Sequence, residues 1–146
     1  YANPKNNQLL NNAISTYSLE DTICYYGNLG ETEFNTFLSQ QDLLVIPRGY
    51  TKQNKYGFST KLSDYLNHKK MILITDISDN KLYIKDGING FIVPPNNDEA
   101  MYKKLVYILE NYKKLETEIT EEAYTTAKND FYFANYKDQL RNFLIG

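Results

Sequence analysis

Residues 43–75 read LLVIPRGYTKQNKYGFSTKLSDYLNHKKMILIT, and this stretch decides the fold. It begins and ends with unbroken apolar runs, at 43–46 and 71–75, each as long as a β-strand. Strands without polar alternation are typical of a parallel sheet that is buried on both faces. Between the two runs, apolar side chains recur at helical spacing, i, i+4, i+7 and i+8: Phe58, Leu62, Tyr65 and Leu66. The stretch therefore predicts a strand, a loop, an amphipathic helix and a second strand.

The rest of the chain continues this alternation. Further strands are predicted at 23–26, where the run ends at Gly27-Asn28, and at 91–93, before a Pro-Pro pair. Further helices are predicted from just after Pro4 to residue 17, at 34–38, at 80–85, from a cap at Asp98 to 112, at 115–128 and at 132–144. The apolar stripe of the helix capped by Asp98 is predicted to consist of Met101, Leu105, Ile108, Leu109 and Tyr112. Strands that alternate with helices through short connections define the α/β class with a parallel sheet. We predict one domain over residues 1–146.

Composition narrows the functional class. A chain of 146 residues is long enough to bury a core, and its net charge of −2 does not favour nucleic acid as a partner. Cys24 is the single cysteine, so no intrachain disulfide can form, which suits a reducing cytosol. Because Cys24 lies in an apolar run, we expect it to be a small core side chain rather than a nucleophile.

No targeting or membrane segment is apparent in the sequence. No apolar stretch approaches the roughly 20 residues that span a bilayer. The first eight residues, YANPKNNQ, lack the basic and apolar regions of a secretory signal. The chain does not begin with Met, so we expect it to be an excerpt of a longer protein.

The loop after residue 47 is the candidate ligand site. In open parallel sheets, ligands bind beyond the carboxyl ends of the strands. The loop opens there and leads to the helix that begins near Ser59, whose first N–H groups and dipole together suit a phosphate. Gly57 allows close approach of the backbone, and Ser59 and Thr60 offer hydroxyls that can cap the helix.

Lys61 and Asp64 are three residues apart, which predicts that they lie on one helix face. Lys61 offers a cation for phosphate, and the Asp64 carboxylate offers two acceptor oxygens for a ribose diol. The alternative is a capped surface helix with an ion pair on its solvent side. Composition and spacing alone favour that alternative.

Three blocks of the sequence resemble a known family. They are DLLVIPR at 42–48, YGFSTKLSDYLNHKKMILITD at 56–76, and DGINGFIVPP at 86–95. In this order they are similar to the retaining GT-B glycosyltransferases of group 1 (GT4-type), which carry a "GFPTKLxEYLAxGKPV" block followed by a "DGxNGxLVxPxD" block. The resemblance implies a Rossmann-like parallel sheet with flanking helices, the C-terminal domain of a GT-B enzyme. It covers the chain from about Leu10 to the terminal helix, and the first two strands of the family's sheet are not found.

The resemblance assigns roles residue by residue. Asp64 matches the second carboxylate of the family's paired-Glu motif, which holds the ribose hydroxyls, and Tyr56 replaces the first carboxylate, which contacts the donor sugar. Lys61 matches the Lys of the family block, for which we expect a contact with phosphate. Arg48 matches the end of the family's Pro-Arg strand and is expected to contact the donor. Gly27 and Asn28 match the turn beside the nucleobase. The stretch that approaches the sugar and the diphosphate is matched by Gly57, Phe58, Ser59 and Thr60.

As implied by the resemblance, the ligand is a nucleoside-diphosphate sugar, used as substrate with no cofactor and no metal. The other partner is the N-terminal, acceptor-binding domain of the same enzyme. The setting is the synthesis of polysaccharide or glycoconjugate in the cytoplasm. Two questions stay open: whether the protein associates peripherally with the inner face of the membrane, and whether it associates with copies of itself. Because no residue here is a general base or nucleophile, we expect this piece alone to be inactive. A non-catalytic Rossmann-like assembly or nucleotide-binding module is the alternative.

Overall fold

The structure is a computed structural model and describes residues 4–145. Residues 1–3, the start of the segment YANPKNNQ that lacks the features of a secretory signal, and residue 146 lie outside the described residues. The chain divides into two compact units, Tyr1–Phe37 and Leu38–Gly146.

Helices and strands alternate along the described part of the chain. The helices are α1 (Pro4–Thr16), α2 (Glu31–Ser39), α3 (Lys52–Tyr56), α4 (Lys61–Asn67), α5 (Asn80–Tyr83), α6 (Asp98–Thr126) and α7 (Lys137–Ile145). The strands are β1 (Leu43–Ile46), β2 (Met71–Thr75) and β3 (Phe91–Val93). A π-helical turn (Ala127–Phe131) and a 3₁₀ turn (Phe133–Tyr136) lie between α6 and α7.

The first unit contains α1 and most of α2, and the strand predicted at 23–26 does not form there. A strand needs an open sheet edge to pair its N–H and C=O groups, and among the described residues this segment pairs with none. Ile23 and Tyr25 are 38% and 49% exposed. Cys24 is also exposed, so the expectation that it is a core side chain is wrong.

The second unit is built on a parallel sheet. In the described part of the chain the sheet has three strands in the order β1-β2-β3. Leu43 of β1 is in register with Met71 of β2, and Leu73 of β2 is in register with Phe91 of β3. This architecture confirms the α/β class with a parallel sheet and flanking helices.

One face of the sheet is covered by α4. Ile72 and Ile74 of β2 pack in one buried cluster with Leu62 and Leu66 of α4, and all four side chains are fully buried. These helix residues are four apart, so they form a single apolar stripe toward the sheet. The helix predicted from that stripe is therefore present, although it begins only at Lys61.

The opposite face is covered by α6. Met71 and Leu73 of β2 pack with Ile108 and Ile119 of this helix in a second cluster. The side chains of β2 thus alternate between two apolar layers, and all five of its residues are buried. This is the arrangement that an unbroken apolar run predicts.

Three details of α6 differ from the prediction. Asn97 rather than Asp98 is the N-cap, and its side chain accepts a hydrogen bond from the Ala100 N–H. The two helices predicted up to residue 112 and from 115 form one helix of 29 residues, because the sequence between them holds neither Gly nor Pro. Leu109, predicted on the apolar stripe, is 66% exposed.

No helix in residues 4–145 has the length and apolar character needed to cross a membrane.

Leu66→Ala tests the packing of α4 on β2. The Leu66 side chain is fully buried, so its truncation should lower the free energy of unfolding by about 2–5 kcal/mol through lost burial and the cavity left behind. Urea denaturation measures the change. As a control, Leu109→Ala on the exposed side of α6 should change it by about 0.5 kcal/mol or less, and equal losses in the two variants would contradict this packing.

Candidate functional site

The carboxyl ends of the three strands lie at one edge of the sheet, and buried hydrogen bonds tie the chain together there. The Thr75 hydroxyl, at the end of β2, donates to the backbone carbonyl of Arg48 at 2.8 Å and lies 3.4 Å from that of Ile46. The Asn80 amide donates to the Thr75 carbonyl at 2.8 Å. The start of the loop after β1 is therefore fixed to the end of β2.

The loop after β1 is more ordered than the sequence indicated. Residues predicted as loop at 48–56 include the short helix α3, whose N-cap Thr51 accepts a hydrogen bond from the Asn54 N–H at 3.0 Å. The Asn54 amide donates to the Gly49 carbonyl at 2.8 Å. The Tyr50 N–H donates to the Asn96 side chain, beyond β3, at 3.0 Å. The first two bonds order the loop internally, and the third ties it to the segment that follows β3.

Gly57 is required by a close backbone contact. A Cβ at this position would lie 2.8 Å from the Gln53 carbonyl oxygen. The Arg48 guanidinium donates to the Gly57 carbonyl at 3.3 Å. The glycine of the sequence motif thus allows α3 to turn back tightly toward α4, with Arg48 beside the turn.

Five of the predicted site residues line one groove at the end of β1, which we call the Arg48 groove. It has a volume of about 300 Å³. Its lining consists of Val45, Ile46, Pro47, Arg48, Phe58, Ser59, Thr60, Lys61 and Tyr65. Arg48 and Lys61 place two cationic side chains at this groove, which suits an anionic group.

Asp64 lines a different opening, which we call the Asp64 cavity. This cavity has a volume of about 690 Å³. Its lining consists of Ser63, Asp64, Asn67, Tyr124, Ala127, Lys128, Asn129, Phe131, Tyr132 and Asn135. Lys61 and Asp64 are separated by about 60° around the helix axis, and this rotation places them at different openings. The lining residues at 127–135, a segment that we call the C-terminal turn, were not predicted from the sequence, because no local spacing signals a contact between segments 60 residues apart.

The hydroxyl cap expected at the start of α4 is not formed. Thr60 is the N-cap residue but makes no side-chain capping bond, and its backbone is already helical. The Leu62 N–H donates to the Ser59 carbonyl at 2.9 Å, and the Ser63 hydroxyl donates to the Thr60 carbonyl at 2.8 Å. The backbone carbonyls, rather than the hydroxyls of Ser59 and Thr60, thus take part in starting the helix.

Three other predicted residues, Tyr56, Gly27 and Asn28, are not among the residues that line either opening. Tyr56 ends α3 with 74% exposure, and the Lys55 ammonium lies 5.3 Å from its ring centre. Gly27 and Asn28 belong to the first unit, where Gly27 adopts the positive φ of 68° expected of a turn glycine. Their roles beside the donor stay predictions.

Three aromatic rings form a cluster that joins Phe58, in the loop before α4, to the C-terminal turn. Phe58 lies 5.6 Å from Tyr83 of α5 and 5.9 Å from Phe131, and Tyr83 and Phe131 are 4.8 Å apart, between ring centres. Rings at these separations attract one another beyond simple burial. The C-terminal turn therefore packs directly on the loop that carries the family-like motif.

Tyr65 has a perturbed hydroxyl beside the Arg48 groove. Burial raises its pKa above the usual value, and the negative charge of neighbouring Asp64 raises it further. Tyr65 therefore stays a neutral hydrogen-bonding group at physiological pH.

In residues 4–145, no group of three or more His, Cys, Asp or Glu side chains is placed to hold a metal ion.

Sequence comparison identifies the family to which this chain belongs. Residues 3–126 match the model of the family described as "Glycosyl transferases group 1". The chain therefore belongs to the group 1 glycosyltransferases, which confirms the resemblance found in its sequence blocks. Among curated proteins there is no significant match.

Solved structures share the fold at low sequence identity. The chain is similar to a glycosyltransferase from Rickettsia africae, with a TM-score of 0.83, 22% identity, and coverage of 96% of this chain and 36% of that one. It is similar to Anabaena Alr3699/HepE in complex with UDP, with a TM-score of 0.82, 16% identity, and coverage of 94% and 36%.

A third similar structure is the C-terminal domain of a group 1 glycosyl transferase, LpcC, from Francisella tularensis. The TM-score is 0.74 with 19% identity, over 88% of this chain and 63% of that one. The chain thus spans about a third of the length of the first structures that it matches, and the Rossmann-like fold expected from the resemblance is confirmed.

Gly57→Ala tests the close contact at the loop. The added methyl group would meet the Gln53 carbonyl oxygen at 2.8 Å, so the loop must shift, and we expect the free energy of unfolding to fall by about 1–3 kcal/mol. Gly30→Ala is the matched control, because its Cβ would have an ordinary 3.5 Å contact. If chemical denaturation finds the two variants equally stable, the close contact is not formed.

The raised pKa of Tyr65 predicts a pH effect on stability. Up to about pH 10 both the folded and the unfolded states hold the proton. At higher pH the unfolded state releases it first, so the folded state loses stability as pH rises. We expect the stability of the wild type to fall more steeply above pH 10 than that of Tyr65→Phe. Parallel curves of urea midpoint against pH would contradict the raised pKa.

Proposed function

We propose that the protein transfers a glycosyl group from a nucleoside-diphosphate sugar, and that this chain supplies the donor half of the site. The observation that carries the proposal is the family match over residues 3–126, whose motif forms the loop at the carboxyl end of β1. Strand ends of this kind bind ligands in open α/β sheets. Anabaena Alr3699/HepE, which shares the fold, has been solved with UDP and with UDP-glucose.

The Arg48 groove supplies the chemistry for the diphosphate. Arg48 and Lys61 would carry positive charge beside the phosphate oxygens, and both line the same groove. When the glycosyl bond breaks, negative charge builds up on the departing diphosphate, and fixed cations stabilise it. We assign this electrostatic stabilisation as the main catalytic contribution of the chain.

Asp64 would accept hydrogen bonds from the ribose diol. Its carboxylate is exposed at the Asp64 cavity, one helical turn along α4 from the groove. An ionised carboxylate offers acceptors to both hydroxyls of a vicinal diol. A nucleotide would then extend from the groove, which takes the phosphates, to the cavity, which takes the nucleoside.

The remaining features of the proposal follow from the family. They are a retaining mechanism without metal, an acceptor-binding domain outside this chain, and a role in polysaccharide or glycoconjugate synthesis in the cytoplasm. The chain by itself would be inactive, because it contains no residue that we assign as nucleophile or base.

A non-catalytic nucleotide-binding or assembly module is the second candidate. The observation that favours it is Tyr56, which replaces a carboxylate of the family motif and is 74% exposed at the end of α3. A phenol lacks the paired acceptor oxygens of a carboxylate. Detection of glycosyl transfer by the full-length protein would exclude this candidate.

Asp64→Ala in the full-length protein tests the donor site. Titration calorimetry should show that the wild type binds UDP or GDP, and that the variant binds the same nucleotide about 10- to 100-fold more weakly, since hydrogen bonds to a charged group are lost. Asp138→Ala, which removes an exposed carboxylate on α7, is the control and should leave the affinity unchanged. The proposal would be wrong if neither nucleotide bound, or if the wild type and Asp64→Ala bound the nucleotide equally well.

A further inference from the structure

The Arg48 groove contains a tyrosine hydroxyl to which the proposed function gives no role. Tyr65 lines this groove together with Arg48 and Lys61. Its side chain is half-buried and packs against the apolar cluster that contains Ile46 and Leu62. A ring that is already held by packing loses little conformational freedom when its hydroxyl binds a ligand. Tyr65 therefore offers a polar group whose position is set before a ligand arrives.

The Tyr65 hydroxyl is accessible and has no protein partner. In the part of the chain that the structure describes, its oxygen takes part in no hydrogen bond. The side-chain polar atom there that is both buried and unpaired is Oδ1 of Asn80, so the Tyr65 oxygen is not sealed from solvent. A neutral tyrosine carries one O–H donor. This donor is thus available to a ligand in the groove.

Helix geometry directs the hydroxyl toward the start of α4. Tyr65 follows Lys61 by four residues, so the two side chains lie on one face of the helix. Long side chains of a helix lean toward its N-terminus, which carries the Tyr65 ring toward Lys61 and toward Ser59 and Thr60. All four residues line the groove. The tyrosine hydroxyl and the lysine ammonium therefore face the same space.

The two cations of the groove are not neutralised by carboxylates. Every ion pair within residues 4–145 uses another lysine, so Arg48 and Lys61 have no acidic partner there. Arg and Lys side chains carry hydrogen-bond donors and no acceptors. Tyr65 keeps its proton at physiological pH, because burial and the charge of Asp64 raise its pKa. A groove of this composition suits a ligand that presents acceptor atoms, as phosphate oxygens do.

We propose that the Tyr65 hydroxyl donates a hydrogen bond to a phosphate oxygen of the nucleoside diphosphate in the Arg48 groove. This inference rests on the proposed function and deepens it, because it adds a neutral side chain to the two cations at the diphosphate. The hydroxyl gives a directional bond, whereas Lys61 acts as a point charge. The sequence indicated Tyr65 only as a member of the apolar stripe of α4.

Tyr65→Phe in the full-length protein is the direct test. The change keeps the packed ring and removes a hydroxyl without a protein partner, so the urea midpoint near pH 7 should be unchanged. Calorimetry with whichever of UDP and GDP the wild type binds should show about ten- to a hundredfold weaker binding, because a hydrogen bond to a charged group is lost. A purely structural role for Tyr65 would leave the affinity unchanged.

Tyr112→Phe is the matched control. Tyr112 is also half-buried, but it belongs to α6, where its hydroxyl donates to the Glu116 carboxylate at 3.0 Å, and it does not line the groove. This variant should bind the nucleotide as tightly as the wild type.

Salt dependence separates the neutral contact from the charged ones. The Tyr65 hydroxyl carries no charge, so the loss of affinity in Tyr65→Phe should be the same factor at low and high salt. The loss in Lys61→Met should shrink as salt rises, because ions screen the attraction between the ammonium and the phosphates. A Tyr65→Phe loss that disappears at high salt would contradict a neutral hydrogen bond.

Phosphorus NMR locates the contact on the ligand. The ³¹P resonances of the bound nucleotide should differ between the wild type and Tyr65→Phe, and they should be the same in the wild type and Tyr112→Phe. Weaker binding by Tyr65→Phe without a change in these resonances would overturn the inference, since the hydroxyl would then act away from the phosphates.

The outcomes separate this inference from the proposed function. If the wild type binds neither UDP nor GDP, both are wrong. If Asp64→Ala weakens binding while Tyr65→Phe binds within twofold of the wild type, the Tyr65 contact is overturned and the donor site stands. Equal losses in Tyr65→Phe and Tyr112→Phe would also overturn the contact, because they would indicate a general effect of removing a hydroxyl.

Discussion

The structure of the second unit depends on the complete burial of β2. All five residues of this strand are buried, and both of its neighbours pair with it in parallel. A strand of this kind has no solvent side, so each face must be covered by a helix. The cover consists of α4 on one face and α6 on the other. Because the three strands are parallel, the loops that follow them begin at one edge of the sheet, where the Arg48 groove lies.

The elements that the sequence predicted well are those with strong local signals. The unbroken runs at 43–46 and 71–75 form β1 and β2, and the stripe that contains Leu62 and Leu66 faces the sheet. The run at 23–26 carries the same apolar signal, yet it forms no strand. Apolar character describes what a segment would bury, whereas a strand also needs a partner for its backbone groups, and sequence alone does not show where that partner is.

The candidate site was predictable in part. The loop motif indicated Arg48, Gly57 and Lys61, and these residues meet at the end of β1 because they are close in the chain. The C-terminal side of the Asp64 cavity was missed, since its residues come near Asp64 only through the path of α6. The predictions of the helix caps were wrong for another reason. Asn97 and Asp98 both carry side-chain oxygens that can cap a helix, and it is Asn97 that accepts the hydrogen bond from the Ala100 N–H.

The continuity of α6 restricts how the chain can change in length. This helix has 29 residues without a break, and it contributes Ile108 to one apolar cluster and Ala123 to the other. Deleting one residue between these two positions would rotate everything beyond the deletion by about 100° and draw it about 1.5 Å closer. Ala123 would then turn away from the core, and Tyr124 and Lys128 would leave the cavity. Substitutions can accumulate along the exposed side of this helix, whereas insertions and deletions are tolerated only outside it.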